Sequence, residues 1–173
     1  MNSNDFRQQA RDKHLAGDTQ AAVILLAQAI SENPKDVLVA LDMVQIFLNI
    51  GEIEQAQNLF NKLPESAQKL DIGVSISSQL NFINLAKNTA GKAILQEKVL
   101  KSPDDYQARF DLAVCLFAQH EIEQAMAMLF YIQENAADFK EGAAREMICN
   151  MLESTNSEEA SKYRQKLANL INK

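Results

Sequence analysis

Asn49-Ile50-Gly51-Glu52-Ile53-Glu54-Gln55-Ala56 decides how this chain is read, because its Gly and Ala recur at the same spacing upstream and its last five residues recur downstream. Upstream stands Leu15-Ala16-Gly17-Asp18-Thr19-Gln20-Ala21-Ala22, and the 34-residue step from Gly17 to Gly51 also carries Ala22 to Ala56 and Leu26 to Phe60. Downstream stands Gln119-His120-Glu121-Ile122-Glu123-Gln124-Ala125, where Glu-Ile-Glu-Gln-Ala returns 69 residues on. Asn33-Pro34-Lys35-Asp36 returns at that same distance as Ser102-Pro103-Asp104-Asp105. Self-similarity at a fixed step of this size is the mark of a stacked repeat. Two steps of 34 plus one residue separate the second copy from the third, so a degenerate unit is expected between about Glu65 and Lys101.

Each recurring position has a physical task. Gly17 and Gly51 end a first helix, where a left-handed residue closes the turn at least cost. Ala22, Ala56 and Ala125 are small where a second helix crosses the first, and Leu26, Phe60 and Leu129 lie on the same face one turn later. Pro34 and Pro103 stop the helix before them and open the next unit. Helices are expected at Asp5–Ala16, Asp18–Glu32, Val37–Asn49, Ile53–Lys62, Ala67–Lys87, Ala90–Lys101, Tyr106–Gln119, Ile122–Glu134, Glu141–Glu153 and Glu158–Ile171. Ser157 is the expected N-cap of the last, with Glu158 and Glu159 favourable in its first turn.

A 34-residue unit of two helices with a small residue, an apolar residue and a proline at fixed places resembles the tetratricopeptide repeat. The resemblance implies an all-α fold of helical hairpins in a right-handed superhelix, about four to five units long. One continuous domain is expected, with repeat units at 1–101 (two clear, one degenerate) and further units with a basic capping helix at 102–173. No single unit buries its own apolar face, so stacking supplies the core and the terminal helices cap it.

Composition narrows the function. Net charge is −6, and a phosphate backbone needs a basic face, so nucleic acid is not an expected partner. The charge is uneven: from Ser161 onward come Lys162, Arg164, Lys166 and Lys173 with no acid, so a basic last helix sits on an acidic body. No apolar run approaches the roughly 18 residues that span a bilayer. Met1-Asn2-Ser3-Asn4-Asp5 lacks the regions of a signal peptide, which makes a cytoplasmic location the expectation. Cys115 and Cys149 are too few for a disulfide framework or a zinc site and read as small buried side chains. His14 and His120 read as turn or surface residues. Ala90-Gly91-Lys92 lacks the spacing of a phosphate loop, and Asp104-Asp105 reads as helix cap and dipole partner. No nucleophile–base pairing is recognisable, so neither catalysis nor a cofactor or metal is expected.

From Ser102 onward the chain is similar to the C-terminal region of the bacterial thioredoxin-like co-chaperones, the chaperedoxins (YbbN-like proteins). The residues that carry this are Ser102–Ala113 (SPDDYQARFDLA), Glu123–Leu129 (EQAMAML) and above all Ala160–Leu167 (ASKYRQKL). The first half matches in layout, with hairpins followed by Leu63-Pro64. No Trp-Cys-x-x-Cys-like motif is present, so the chain is expected to correspond to the helical half without the thioredoxin domain, and no thiol chemistry is carried over. The resemblance implies binding of unfolded client proteins and of a chaperonin, the latter through the last helix at Lys162, Tyr163, Arg164, Leu167 and Leu170.

In repeats of this type the first helix of each pair lines a groove. The groove candidates are Arg7, Arg11 and His14 in the first unit, Leu38, Leu41, Gln45 and Leu48 in the second, and Gln107, Phe110, Val114 and Phe117 in the later one. The polar set suits a peptide carboxylate or backbone, while the apolar set is more readily filled by a neighbouring helix. A small acidic secretion-type chaperone with one dedicated partner is the alternative reading. A helical enzyme would need a convergent polar pocket of which the sequence has no sign.

Overall fold

A computed structural model describes all residues, 1–173, and every ordered element in it is helical. The helices are α1 (Ser3–Leu15), α2 (Thr19–Glu32), α3 (Val37–Asn49), α4 (Ile53–Asn61), α5 (Glu65–Gln68), α6 (Asp71–Lys87), α7 (Lys92–Lys101), α8 (Tyr106–Ala118), α9 (Ile122–Asn135), α10 (Ala143–Glu153) and α11 (Ser157–Ile171), with a 3-10 turn at Phe139–Glu141. Nine of the ten expected helices are present in order, with ends displaced by no more than two residues. None of the helices is long and apolar enough to cross a membrane. The chain forms two compact units, Met1–Leu80 and Asn81–Lys173.

The first unit stacks α1 on α2, α2 on α3 and α3 on α4, and brings the two first helices, α1 and α3, side by side. Ala22 and Ala56 are fully buried, as their size requires, and Leu26 and Phe60 follow them into the core. Phe6, Ala10, Val39, Met43 and Ile46 complete it. The second unit pairs α8 with α9 and α10 with α11, and α7 packs on α8. There Ala125, Leu129, Phe130, Ile148, Met151 and Ala160 are buried. Truncating one such leucine or phenylalanine to alanine costs about 2–5 kcal/mol, so each unit is held mainly by a few apolar anchors.

One turn is built three times. Gly17 N–H donates to the His14 carbonyl and Asp18 N–H to the Lys13 carbonyl. Gly51 and Glu52 do the same to Leu48 and Phe47, and His120 and Glu121 to Phe117 and Leu116. This is the Schellman closure, and it holds its central residue at positive φ: 87°, 82° and 62° in turn. Histidine therefore occupies a backbone place that glycine fills twice elsewhere. Asp18, Asp36 and Asp105 cap α2, α3 and α8 with their carboxylates, which fits the cap reading of Asp104-Asp105.

Four expectations are corrected. The helix expected at Ala67–Lys87 is broken at Lys69-Leu70. Gln68 turns its amide back to the Phe60 and Leu63 carbonyls, and Gly73 then packs against the end of α5. A Cβ on Gly73 would collide with the Ala67 carbonyl oxygen and stand 2.6 Å from that of Gln68. The helix expected from Glu141 begins at Ala143, because Lys140, Glu141 and Gly142 are left-handed in succession (φ 44°, 60° and 87°). Two non-glycine residues so held cost on the order of 1–3 kcal/mol each. The N-cap of α11 is Asn156 rather than Ser157, its side chain accepting from Glu159 N–H at 3.0 Å. Cys115 is buried as expected, but Cys149 is exposed. It lies about 100° around α10 from buried Ile148, off the face that Ala144, Ile148, Met151 and Leu152 turn inward.

Candidate partner-binding site

The side-by-side placement of α1 and α3 gathers the polar residues of two repeats into one cavity of about 260 Å³. Its rim carries Arg7, Arg11, His14, Gln45 and Asn49, and its apolar wall includes Ala10, Leu26, Ile46 and Ile72. Four groove candidates, Arg7, Arg11, His14 and Gln45, thus come together. Gln107 and Phe110 belong to the other unit.

The two arginines differ. Arg7 donates from Nε to Asp42 Oδ2 at 2.5 Å and from Nη2 to Oδ1 at 3.2 Å, a forked pair with both side chains less than one-fifth exposed. The hydrogen bond to Asp42 raises the Arg7 pKa above its ordinary value against the opposing effect of burial. Arg11, one turn on, is exposed and forms none of the chain's salt bridges. Arg7 is therefore committed to the fold, and Arg11 is the cavity's available cation.

A chain of side-chain hydrogen bonds runs across the first helices of successive units. Asn49 Nδ2 lies 3.2 Å from His14 Nε2, which makes that ring nitrogen the acceptor and leaves Nδ1–H to donate to Thr19 Oγ1 at 2.9 Å. Gln45 Nε2 donates to Asn49 Oδ1 at 3.0 Å, and Gln45 and Gln79 exchange amide bonds at 3.0 Å in both directions. Gln45 and Gln79 are 34 residues apart, one repeat step. Asp42, Asn49 and Gln79 were missed in the sequence, although that offset from Gln45 pointed to Gln79. The cavity offers one free guanidinium and several amides that can exchange partners, set above an apolar floor. Such a set can hold a carboxylate and main-chain amide groups.

In the second unit Gln107 donates to Asp111 at 2.8 Å and Phe110 lies under the ring of Phe139. Of the apolar groove positions, Leu41, Leu48, Val114 and Phe117 are buried by neighbouring helices and Leu38 is half-buried. Arg109, beside them on α8, is the buried charged residue of the chain. It donates to the Pro103 carbonyl at 2.5 Å and lies 3.5 Å over the Tyr131 ring, which ties the turn before α8 to α9.

The residues singled out on α11 divide by face. Tyr163 stacks on Phe130, Leu167 is buried, and Leu170 packs half-buried on the same core. Lys162 and Arg164 are exposed, the Arg164 guanidinium 3.5 Å from the Leu152 carbonyl. Lys166 lies 4.4 Å over Phe130 and 3.9 Å from Glu134. The helix caps the second unit with one side and presents basic residues on the other.

Tetratricopeptide repeat models match residues 85–172 and, separately, 14–72. The chain belongs to the tetratricopeptide repeat family. Repeats of this family are protein-interaction modules, generally without catalysis of their own, and proteins are the partners this membership points to. No curated protein matches the sequence. Two solved structures align with it at low similarity. One, titled MamA RS-1 ArsTM double mutant, is 15% identical over 98% of this chain and 94% of that one, with a TM-score of 0.44. The other, a domain of a protein of unknown function from Vibrio parahaemolyticus, is 20% identical over 96% of this chain and 98% of that one, also at 0.44. Likeness at this level adds nothing to the family match.

Proposed function

We propose that this chain binds an extended segment of a partner protein in the α1–α3 cavity, with a carboxylate of the segment on Arg11 and its backbone on the Gln45 and Asn49 amides. The observation that carries this reading is the contrast between Arg7, neutralised by Asp42, and Arg11, left free on the same rim. A guanidinium presented over an apolar floor is suited to a carboxylate, which it holds through two parallel hydrogen bonds.

The partners in this reading are unfolded client proteins and a chaperonin, and the setting is a cytoplasmic thioredoxin-like co-chaperone. Support comes from the likeness at Ser102–Ala113, Glu123–Leu129 and Ala160–Leu167. Because Tyr163, Leu167 and Leu170 are occupied in capping, chaperonin docking by α11 falls to Lys162 and Arg164. The test is capture from a bacterial lysate by the full chain and by Arg11→Glu, read by mass spectrometry. The expected result is chaperonin with a range of clients on the parent chain, and loss of the clients from Arg11→Glu at unchanged helicity. Equal capture of clients by both chains would remove the cavity from the account. A single dedicated protein in place of clients and chaperonin would replace the co-chaperone reading with that of a secretion-type chaperone.

A further inference from the structure

The connection between α9 and α10 is built unlike its counterparts. The turns before α3 and α8, 33–36 and 102–105, take four residues and contain a proline. The strap 136–142 takes seven and contains Phe139. The Phe139 ring sits over Tyr106 and Phe110, one helical turn apart on α8, at centroid distances of 6.1 and 6.2 Å and plane angles of 58° and 51°. Phe110 is a position expected to face a partner.

The ring is followed directly by the successive left-handed residues Lys140, Glu141 and Gly142. On its other edge the strap borders a second cavity, of about 740 Å³, lined by Ala137, Glu141, Gly142, Arg145 and Cys149 among others. Gln133 Oε1, in the same wall, is buried with no hydrogen-bond partner.

We propose that Phe139 is a displaceable occupant of an aromatic seat on α8, and that an aromatic side chain on an extended segment of a partner protein takes its place while the strap 136–142 swings into the adjoining cavity. The seat already accommodates an aromatic ring in tilted contact with two others, a geometry that aromatic quadrupoles favour and aliphatic side chains do not reproduce. Opening gives up those contacts but releases two strained non-glycine residues, which offsets part of its cost. The unpaired Gln133 side-chain oxygen in the cavity wall is an acceptor left open for a strap that enters there.

The experiment is an NMR titration of the full chain with acetyl-Gly-Gly-Phe-Gly-Gly-amide and with its alanine counterpart, followed at Tyr106 and Phe110. The phenylalanine peptide is expected to shift both signals and the alanine peptide neither. Phe139→Ala, which has no internal ring to expel, is expected to bind the phenylalanine peptide about tenfold more tightly than the parent chain. Glu141→Gly, which relieves strain in the closed strap, is expected to bind it more weakly. Equal shifts from the two peptides, or no gain in affinity from Phe139→Ala, would overturn the proposal. Should Phe139→Ala fail to fold, Glu141→Gly decides: affinity equal to the parent's would overturn it as well.

Discussion

Replacing Asp42 by asparagine tests whether Arg7 belongs to the fold and Arg11 to the partner. The Arg7–Asp42 pair is forked, and its side chains are 17% and 14% exposed, so water screens it only weakly. Breaking a fully buried pair from one side costs about 3–5 kcal/mol, because the remaining charge is left desolvated. Here both groups retain some solvent and asparagine keeps one hydrogen bond, so Asp42→Asn should cost about 2 kcal/mol. Arg7→Met alone should cost a similar amount, about 2 kcal/mol, by stranding the carboxylate. The double variant Arg7→Met/Asp42→Leu removes both charges and fills the space, and should lie within about 1 kcal/mol of the parent. Urea denaturation followed by far-ultraviolet circular dichroism measures all three, with Asp42→Leu alone as the fourth corner of the cycle, and the cost of the double variant should fall short of the summed single costs by about 3 kcal/mol or more. Partner capture by the double variant should match the parent's, since Arg11 is untouched. Additive single effects, or lost capture in a stable double variant, would refute the division of labour between the two arginines.

Other outcomes follow from the same contacts. Gly73→Ala gains about 1 kcal/mol of helix propensity but drives a methyl group into two backbone carbonyls, and should be destabilising by about 1–2 kcal/mol net, seen as a Tm lowered by roughly 2–8 °C. Tyr163 is pushed above its ordinary pKa of 10.0, first by burial and then by Glu159 and Glu123. Its raised pKa contributes stability that is complete below pH 10 and lost as pH rises through the folded value, so Tyr163→Phe should lose less stability in alkali than the parent, measured by urea titrations at pH 8 and above pH 10. Part of the alkaline loss should persist in that variant, because Tyr131, hydrogen-bonded to Asp104, is raised as well. Truncation after Asn156 uncovers Ala144, Ile148 and Phe130, and should leave the chain aggregated in size-exclusion chromatography; a soluble, helical product would contradict the capping role of α11.

The hairpins were legible because their signals are local and repeated. Gly17 and Gly51 end helices by backbone conformation, Ala22, Ala56 and Ala125 permit close crossing, and Asp18, Asp36 and Asp105 cap by short-range hydrogen bonds. None of these needs a distant partner to be understood. The polar chain was half legible: Gln45 was read, and Gln79 follows from it by one repeat step, but the partnership of Arg7 with Asp42 depends on α1 lying beside α3. The break after Gln68 was hidden because a glutamine reaching back to two carbonyls carries no sequence pattern. Lys140 and Glu141 gave no sign of left-handed backbone, since neither residue type favours it, and Gly142 alone read as part of a helix start. Cys149 has apolar neighbours in the sequence, but on a helix adjacent residues point in different directions, so those neighbours do not fix its environment. An arginine in a helix reads as exposed, and the burial of Arg109 depends on the Tyr131 ring and the Pro103 carbonyl, which only the fold brings to it.

The most direct measurement places a photo-crosslinking benzoylphenylalanine at Leu15, an exposed residue of the cavity lining that the proposed contacts do not use, and in a second chain at Asn58, exposed on α4 and outside that lining. After irradiation in a bacterial lysate, the account predicts adducts with captured proteins from position 15 and few from position 58. Adducts from position 58 with none from position 15 would contradict the claim that the α1–α3 cavity is where this repeat protein holds its partner.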